Sequence, residues 1–178
     1  MAFSWLKAPA AAGSDTRPRV RPAGRGDAAA IAGMASALSR AEGGFPSRFT
    51  AETYLRDGFG PNPAFRALIA ERGEDVVGYA VYYPGYDTDT ATRGVYLADL
   101  FVREAARRQG VGRALVTGVA EACRAAGGRW MFWSVLRHNK AGRRFYKALA
   151  PELKDVIVCA AFGRTFDRLA DMAKGQGE

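Results

Sequence analysis

The feature that most constrains this chain is a glycine-punctuated turn between an apolar run and an amphipathic stretch. The run GVYLADLFV is followed by REAARRQGVGRAL, in which Gly110 and Gly112 open a stretch of helical periodicity. Glycine lets the backbone approach a ligand closely, and a helix N-terminus offers unpaired N–H groups and a partial positive charge. Arg107, Arg108 and Arg113 add full positive charges. The turn therefore predicts a phosphate or pyrophosphate site, although the glycines alone also fit a plain strand–helix turn.

Neither common nucleotide-binding design fits this turn. A Rossmann loop needs a third glycine, where this chain has Leu115, and a carboxylate about 20 residues further on. The next apolar run, RWMFWSVL, has no carboxylate at its end, and the Gly-Lys-Ser/Thr of a P-loop is missing as well. The turn is therefore expected to bind its anion by another design.

The hydrophobic periodicity predicts an α/β chain with the element order β-α-α-β-β-β-α-β-α-β, a mixed sheet with helices packed on it. Strand-like runs are RVRP, the hairpin FRALIAERGEDVVGYAVYYPGYD, GVYLADLFV, RWMFWSVL and a closing DVIVCAAFGRTF. Asp27 and Thr50 are candidate N-caps of the first two helices. The length of 178 residues suits one domain. We expect a disordered tail over 1–17, a single domain over 18–168 and a flexible C-terminus over 169–178.

The composition narrows the function classes. The net charge of +8 lies in separate clusters, which favours a local anion over a general nucleic-acid surface. No apolar run approaches the roughly 20 residues of a membrane span, and the first residues lack the pattern of a signal peptide. Cys123 and Cys159 indicate buried thiols in a reducing cytoplasm. One histidine and two separated cysteines predict no metal site.

Several motifs in order resemble one family. RRQGVGRAL resembles the R/Q-x-x-G-x-G/A pyrophosphate loop of the GNAT superfamily of N-acetyltransferases, which bind acetyl-coenzyme A. The resemblance runs from about Val20 to Phe166 and is closest to the spermidine/spermine (diamine) and thialysine N-acetyltransferase branch. Five further segments are similar to segments of that branch, in the same order. The first strand is matched by RPAGRGD, the DGFG segment by RDGFG and the hairpin by VGYAVYYPGYDT. The YLEDLFV strand is matched by VYLADLFV, and the segment leading through Asn to the FY helix by WSVLRHNKAGRRFYKALA.

This resemblance implies the GNAT fold, a splayed, mostly antiparallel mixed sheet flanked by helices, with a central parallel strand pair that diverges around the coenzyme. It implies acetyl-CoA as cosubstrate and no metal. The backbone of Leu100, Phe101 and Val102 would contact the pantetheine arm. Arg143 is either a phosphate contact or part of a solvated helix face. The other implied coenzyme contacts are Arg107, Arg108, Gln109, Gly110, Val111, Gly112, Arg113 and Asn139.

Acetyl transfer to an amine needs a neutral amine, a donor for the charge that develops on the carbonyl oxygen, and an acid for the leaving thiolate. A lysine-like amine has a pKa of about 10.4, so its deprotonation at pH 7 costs about 4–5 kcal/mol. Tyrosine, with a pKa of about 10, can protonate a thiolate and be regenerated. The resemblance places Tyr146 near the thioester sulfur as this acid, whereas the helical pattern alone predicts a core aromatic.

The proton acceptor is where the chain departs from the family pattern. Relatives have Glu-Asp where this chain has Ala98 and Asp99, so the expected glutamate is missing. Neighbouring strand residues point to opposite faces. Asp99 therefore serves as base and acceptor ligand only if a β-bulge redirects it, and is otherwise structural. Glu42, at the end of the first helix, matches an acceptor-site acid of the family or is an ordinary solvated helix end.

These patterns together predict direct acetyl transfer from acetyl-CoA to a primary amine of a small molecule, with polyamines, diamines or thialysine-like amino acids as first candidates. Acetylation of a protein or peptide amine is the second enzyme hypothesis. A non-catalytic acyl-CoA-binding module, suggested by Ala98, is the third hypothesis. The resemblance also implies a homodimer that associates through DVIVCAAF. The composition predicts a cytoplasmic protein without nucleic-acid or membrane partners.

Overall fold

The computed structural model describes residues 17–44 and 47–173, and the chain divides into two units, Met1–Ser134 and Val135–Glu178. The first unit contains β1 (Arg19–Pro22), α1 (Ala28–Ala41), α2 (Ala51–Asp57), β2 (Arg66–Arg72), β3 (Asp75–Asp87), β4 (Thr92–Val102), α3 (Val111–Ala125) and β5 (Gly128–Phe132). The second unit contains α4 (Lys140–Lys147) and α5 (Arg164–Met172). The expected tail, apart from Arg17, and the last five residues of the expected C-terminus lie outside the described ranges.

The five strands form one sheet in the order β1-β2-β3-β4-β5. All neighbours are antiparallel except β4 and β5, which are parallel. The mixed α/β fold with a parallel strand pair, as predicted, is confirmed. Antiparallel neighbours can be joined by short turns, whereas the parallel pair requires a crossover, and α3 supplies it.

Helices cover both faces of the sheet. On one face, which we call the α1 face, α1 and α2 pack against β2 and β3 through a buried cluster that includes Ile31, Met34, Tyr54, Ile69, Tyr79 and Val81. On the other, the α3 face, α3 contacts all five strands. Its apolar stripe of Val111, Leu115, Val119 and Cys123 is at most 5% exposed. Each such side chain contributes about 1.5–3 kcal/mol by leaving water, so the predicted helix is fixed to the sheet.

Asp27 does not cap α1 with its side chain, so that prediction is wrong. Its carboxylate instead accepts hydrogen bonds from the Arg21 guanidinium, at 2.8 and 3.0 Å, and from the Gly24 N–H at 2.7 Å. Arg21 also donates to Glu71 on β2 at 2.8 Å. The hydrogen bond with Arg21 holds the pKa of Asp27 below its ordinary value. Thr50 caps α2 as predicted, because its hydroxyl accepts from the Thr53 N–H at 3.2 Å.

The predicted closing strand DVIVCAAFGRTF does not form, so this expectation is wrong. Residues 155–163 are irregular, and Arg164, Thr165 and Phe166 instead begin α5, which continues to Met172. Ile157 is 87% exposed and Phe162 is 82% exposed. A β-branched run has strand propensity, but a strand also needs a partner edge, and in the described part of the second unit this run has none.

Candidate functional site

The parallel strands β4 and β5 separate soon after they meet. Their pairing runs from Arg93 opposite Gly128 to Tyr96 opposite Phe132, whereas β4 continues to Val102. Among the described residues, no strand pairs with positions 97–102 on the β5 side. An unpaired strand edge presents N–H and C=O groups to a ligand, so the end of β4 is open to binding.

The antiparallel ladder shows which residues use this open edge. The Arg103 N–H donates to the Val77 carbonyl on β3 at 2.8 Å. Since alternate residues direct their backbone groups to the same side, Phe101 also faces β3, and Leu100 and Val102 face the open edge. The Phe101 ring packs against the core of the α1 face. The geometry therefore favours Leu100 and Val102 as the main-chain contacts.

An aromatic stack marks the point where the strands begin to separate. The Tyr96 ring stacks on Tyr83 of β3 at 5.2 Å and on Phe132 of β5 at 6.0 Å. The Tyr96 hydroxyl forms a 2.8 Å hydrogen bond with the Ser134 hydroxyl. These contacts connect three strands at the last paired rung, so they fix where the opening starts. Tyr83 is 40% exposed beside the opening.

The loop after β4 has the geometry of an anion site. Arg108 and Gly110 adopt left-handed conformations, with φ of 59° and 82°, and α3 begins at Val111. The first helical hydrogen bond is from the Ala114 N–H to the Gly110 carbonyl at 2.9 Å. The preceding N–H groups, on Val111, Gly112 and Arg113, have no acceptor within the helix. No atom lies within 4 Å of a Cβ built on Gly110, so these N–H groups have room for a phosphate.

The other residues of the loop hold it in place. Arg107 donates through Nε to the Val102 carbonyl at 3.1 Å and lies over the Phe101 ring at 5.9 Å. Gln109 donates through Nε2 to the Ala105 carbonyl at 2.7 Å and accepts from Arg72 of β2. Arg72, which the sequence analysis did not select, thus adds a cationic side chain beside the predicted loop.

A β-bulge in β4 changes the orientation of Asp99. Val81 pairs with Asp99 and Tyr82 pairs with Leu97, which leaves Ala98 as the extra, exposed residue. Without the bulge, Leu97 and Asp99 would face the same side. With the bulge, Leu97 is opposite Tyr82 on the α3 face, whereas Asp99 is opposite Val81 on the α1 face. The β-bulge that Asp99 needs in order to face the other side of the sheet is therefore present.

Asp99 is held by a buried tyrosine. The Tyr79 hydroxyl donates to Asp99 Oδ2 at 2.9 Å, and Tyr79 is fully buried. Burial raises the pKa of Asp99 above its ordinary value, while the hydrogen bond from Tyr79 opposes that rise. Burial also raises the pKa of Tyr79, and the negative charges of Asp99 and Glu42 add to the effect. Two carboxylates therefore act on one hydroxyl on the α1 face.

Three predicted site residues lie in the second unit, which we describe by itself. Asn139 caps α4, because its side-chain oxygen accepts from the Gly142 N–H at 2.8 Å. Arg143 forms a two-point ion pair with Glu152, at 2.8 and 2.7 Å. Tyr146 is half-buried on α4, with its ring edge-on to Phe145 at 5.0 Å. Their roles toward the coenzyme stay predictions.

A cavity of about 1060 Å³ lies away from the open edge of β4, near the start of that strand and the end of α3. Its lining includes Arg66, Tyr82, Arg93 and Cys123 but no carboxylate from the described residues. An acceptor ammonium is better matched by the Asp99 side of the sheet, where the negative charges of Asp99 and Glu42 both act on Tyr79. We therefore place the candidate site at the open edge and not in this cavity.

Comparison with known proteins identifies the family. The family model described as "Acetyltransferase (GNAT) family" matches residues 31–150. The chain belongs to this family. It is an acetyltransferase, as the sequence motifs predicted, and its split sheet is the GNAT fold.

Relatives within the GNAT family agree with the predicted branch. The chain is 35% identical to the thialysine N-epsilon-acetyltransferase of Mus musculus over 143 aligned residues. This alignment covers 75% of this chain and 84% of the relative. It is 32% identical over 136 residues to the spermidine/spermine N(1)-acetyltransferase-like protein 1 of Homo sapiens, covering 72% of this chain and 19% of that protein. A solved structure of a ribosomal-protein-alanine N-acetyltransferase from Brucella melitensis biovar Abortus 2308 has a TM-score of 0.66 at 22% identity, over 82% of this chain and 100% of that chain. That last likeness shows the fold alone.

Two further observations concern this GNAT chain outside the site. Within 17–44 and 47–173, no helix has both the length and the apolar character needed to cross a membrane. The same ranges contain no group of three or more His, Cys, Asp or Glu side chains placed to hold a metal ion.

Proposed function

We propose that this chain transfers the acetyl group of acetyl-CoA to a primary amine of a small molecule, with a polyamine, a diamine or a thialysine-like amino acid as the acceptor. One arrangement carries the proposal. The open edge of β4 leads directly into the anion loop, and the same strand presents Asp99 on the α1 face, where Glu42 also acts. The similarity to a thialysine N-epsilon-acetyltransferase and to a spermidine/spermine N(1)-acetyltransferase-like protein supports an amine acceptor.

The donor half of the site uses main-chain groups. Acetyl-CoA supplies an activated thioester when bound. The free N–H groups at the start of α3, with Arg107, Arg108 and Arg113 around them, bind its pyrophosphate. Leu100 and Val102 offer backbone groups to the pantetheine arm. A backbone N–H at this edge also stabilises the charge that develops on the carbonyl oxygen.

The acceptor half needs a negative charge and a proton acceptor. Asp99 takes a proton from the acceptor's ammonium group, and the neutral amine that results attacks the thioester. Glu42 adds to the negative potential that attracts the ammonium. A base is most effective when its pKa approaches the working pH, and burial moves the pKa of Asp99 in that direction. We assign the acid for the leaving thiolate to Tyr146, as the family resemblance predicts.

A direct transfer agrees with the position of the cysteine in the first unit. Cys123 is buried on the α3 face, where its thiol donates to the Trp130 carbonyl at 3.4 Å. Burial raises the pKa of this thiol, so it is a poor nucleophile. Initial-velocity measurements should give intersecting lines, the pattern of a sequential mechanism. Parallel lines would indicate an acetylated enzyme.

The proposed function is tested by thiol release from acetyl-CoA with a panel of amines. Thialysine, lysine, ornithine, spermidine and a peptide with a free N-terminus separate the acceptor classes. We expect turnover with one of the small amines and little with the peptide. Turnover with the peptide alone would favour a peptide acetyltransferase. Binding of acetyl-CoA without turnover of any amine would indicate a non-catalytic acyl-CoA-binding module.

Two variants test the assigned roles. Asp99→Asn keeps the shape of the side chain but removes the base, so kcat/KM should fall by about 10²–10⁴-fold, the usual contribution of such a group. Tyr146→Phe should lower kcat much more than it weakens acetyl-CoA binding. The affinity for acetyl-CoA, measured by calorimetry, is the control for both variants. An unchanged kcat in either variant would remove that residue from its role.

We also propose that the chain forms a homodimer through its apolar C-terminal segment. Ile157 and Phe162 are 87% and 82% exposed, and Val158 is 68% exposed. Exposed apolar patches of this kind often mark association surfaces. Ile157→Asp should shift the molar mass measured by light scattering from a dimer to a monomer. A monomer in the unmodified chain would contradict the proposal.

A further inference from the structure

Tyr79 of β3 is fully buried, and its hydroxyl donates a hydrogen bond to the carboxylate of Asp99. It lies opposite Phe101 and two residues before Val81, which pairs with Asp99. Its ring belongs to the core of the α1 face, and a phenylalanine would fill that space equally well. The hydroxyl is therefore not needed for packing, and its observed contact is Asp99 Oδ2 at 2.9 Å.

We propose that Tyr79 is a positioning residue for acetyl transfer, whose hydroxyl orients the Asp99 carboxylate at the β-bulge and keeps it ionised to receive the acceptor's proton. This inference rests on the proposed function, in which Asp99 is the base. It adds a second residue through which the chain compensates for the missing glutamate at Ala98.

The geometry gives the hydroxyl a single role. The two residues that pair with Tyr79 across the sheet, Ile69 on β2 and Phe101 on β4, are apolar. The charged groups that act on it are Asp99 from β4 and Glu42 from the end of α1. Because burial raises the pKa of Tyr79, the hydroxyl keeps its proton and remains a donor at every pH of an assay.

One hydrogen bond from Tyr79 leaves most of the Asp99 carboxylate available. An ionised carboxylate has about four lone-pair positions, and Tyr79 occupies one of them on Oδ2. The remaining positions, including those on Oδ1, can accept from an ammonium. A donor that favours the ionised form counteracts the effect of burial on the pKa of Asp99. Without the hydroxyl, more of the Asp99 population would be protonated and unable to act as a base.

The test compares Tyr79→Phe with the unmodified chain across pH. Removal of a hydrogen bond to a charged group should raise the pKa of Asp99 by about one to two units. Because Asp99 acts when ionised, the acidic limb of kcat/KM should move up in pH by the same amount. The rate below the limb should fall by about 10–100-fold, whereas the plateau at high pH should change little. A loss that is equal at all pH values would indicate a merely structural role and overturn the inference.

Two matched controls accompany this variant. Tyr82→Phe removes a hydroxyl from the same strand on the α3 face and should leave the pH profile unchanged. 3-Fluorotyrosine at position 79 keeps the size of the ring but makes its hydroxyl a stronger donor, so the limb should move to lower pH. This second substitution keeps the test decisive if Tyr79→Phe does not fold. An unmoved limb with fluorotyrosine would also overturn the inference.

Direct titration separates this inference from the proposed function. In protein labelled with ¹³C at aspartate carboxyls, the Asp99 signal, identified by its loss in Asp99→Asn, should have a higher midpoint in Tyr79→Phe. An unmoved midpoint overturns the inference, and so does a moved midpoint with an unmoved rate profile. Absence of turnover by the unmodified chain with every amine would instead overturn the proposed function.

Discussion

A substitution at Gly94 should destabilise the strand pair that opens into the site. The Trp130 indole of β5 lies against two glycines of the β3/β4 hairpin, and its Nε1 donates to the Thr92 carbonyl at 3.3 Å. A Cβ on Gly94 would lie 2.0 Å from Trp130 Cδ2, and one on Gly85 would lie 2.6 Å from Trp130 Cη2. Gly94→Ala therefore requires the ring to move away from its position against the hairpin.

The expected loss follows from this overlap. Overpacking of a well-packed site costs about 1–3 kcal/mol. In a domain of about 150–250 residues each kcal/mol lowers the Tm by about 2–4 °C. Gly94→Ala should therefore lower the Tm by about 2–12 °C, measured by circular dichroism. Because Gly94 pairs with Trp130 only two residues before the last rung at Tyr96, the affinity for acetyl-CoA should fall as well.

A double-mutant cycle checks the cause. In a Trp130→Leu background the overlapping ring is absent, so adding Gly94→Ala should cost less than about 0.5 kcal/mol. Gly33→Ala is the control, because no atom lies within 4 Å of its built Cβ in α1, and alanine should stabilise that helix by about 0.5–1 kcal/mol. Equal losses from Gly94→Ala in both backgrounds would refute the explanation from the tryptophan contact.

Three further outcomes are expected. Gly110→Ala forces a side chain into a conformation with φ of 82°, which costs about 1–2 kcal/mol. Because this strain falls on the anion loop, the Kd for coenzyme A should rise in a calorimetric titration. An unchanged Kd would contradict the role of the loop. Because the folded-state pKa of Asp27 is depressed, its stabilising effect is present above the unfolded value of about 3.9 and is lost as the pH falls through the folded value. Because the Arg21 side chain is 34% exposed, Arg21→Gln should cost about 1–3 kcal/mol in urea unfolding at pH 7, with a smaller loss near pH 3. An equal loss at both pH values would argue against the ion pair. Ala98→Glu, at the exposed bulge position, should change stability by less than about 0.5 kcal/mol and increase kcat/KM at neutral pH, whereas a decrease would argue against a base at this place.

Local patterns in the sequence predicted the parts of the fold that depend on local physics. The stripe from Val111 to Cys123 has helical spacing, and it forms α3 with that stripe buried. The turn before it was recognisable because Gly110 has a left-handed conformation that few other residues adopt without strain. Such features need only a few neighbouring residues, so their sequence signals are reliable.

Features that depend on pairing between distant segments were not predictable in the same way. The face on which Asp99 lies depends on the register between β3 and β4, and a single extra residue at Ala98 decides it. Tyr79 fits the apolar alternation of β3, so its hydrogen bond to Asp99 has no separate sequence signal. The run around Ile157 has a strand-like composition, but residues 155–163 are irregular, so composition alone predicted a strand that does not form.

The bulge at Ala98 also divides β4 into two segments with different tolerance to mutation. Before the bulge, Val95 and Leu97 are buried at 6% and 2% exposure, so substitutions there should mainly reduce the amount of folded protein. After the bulge, substitutions of Asp99 and of the residues at the open edge should leave the protein folded but reduce its turnover. A deletion of Ala98 would remove the bulge and make Leu97 and Asp99 neighbours, so regular alternation would keep their side chains on opposite faces. A saturation-mutagenesis map that scores abundance and activity separately should therefore show a sharp boundary within this one strand.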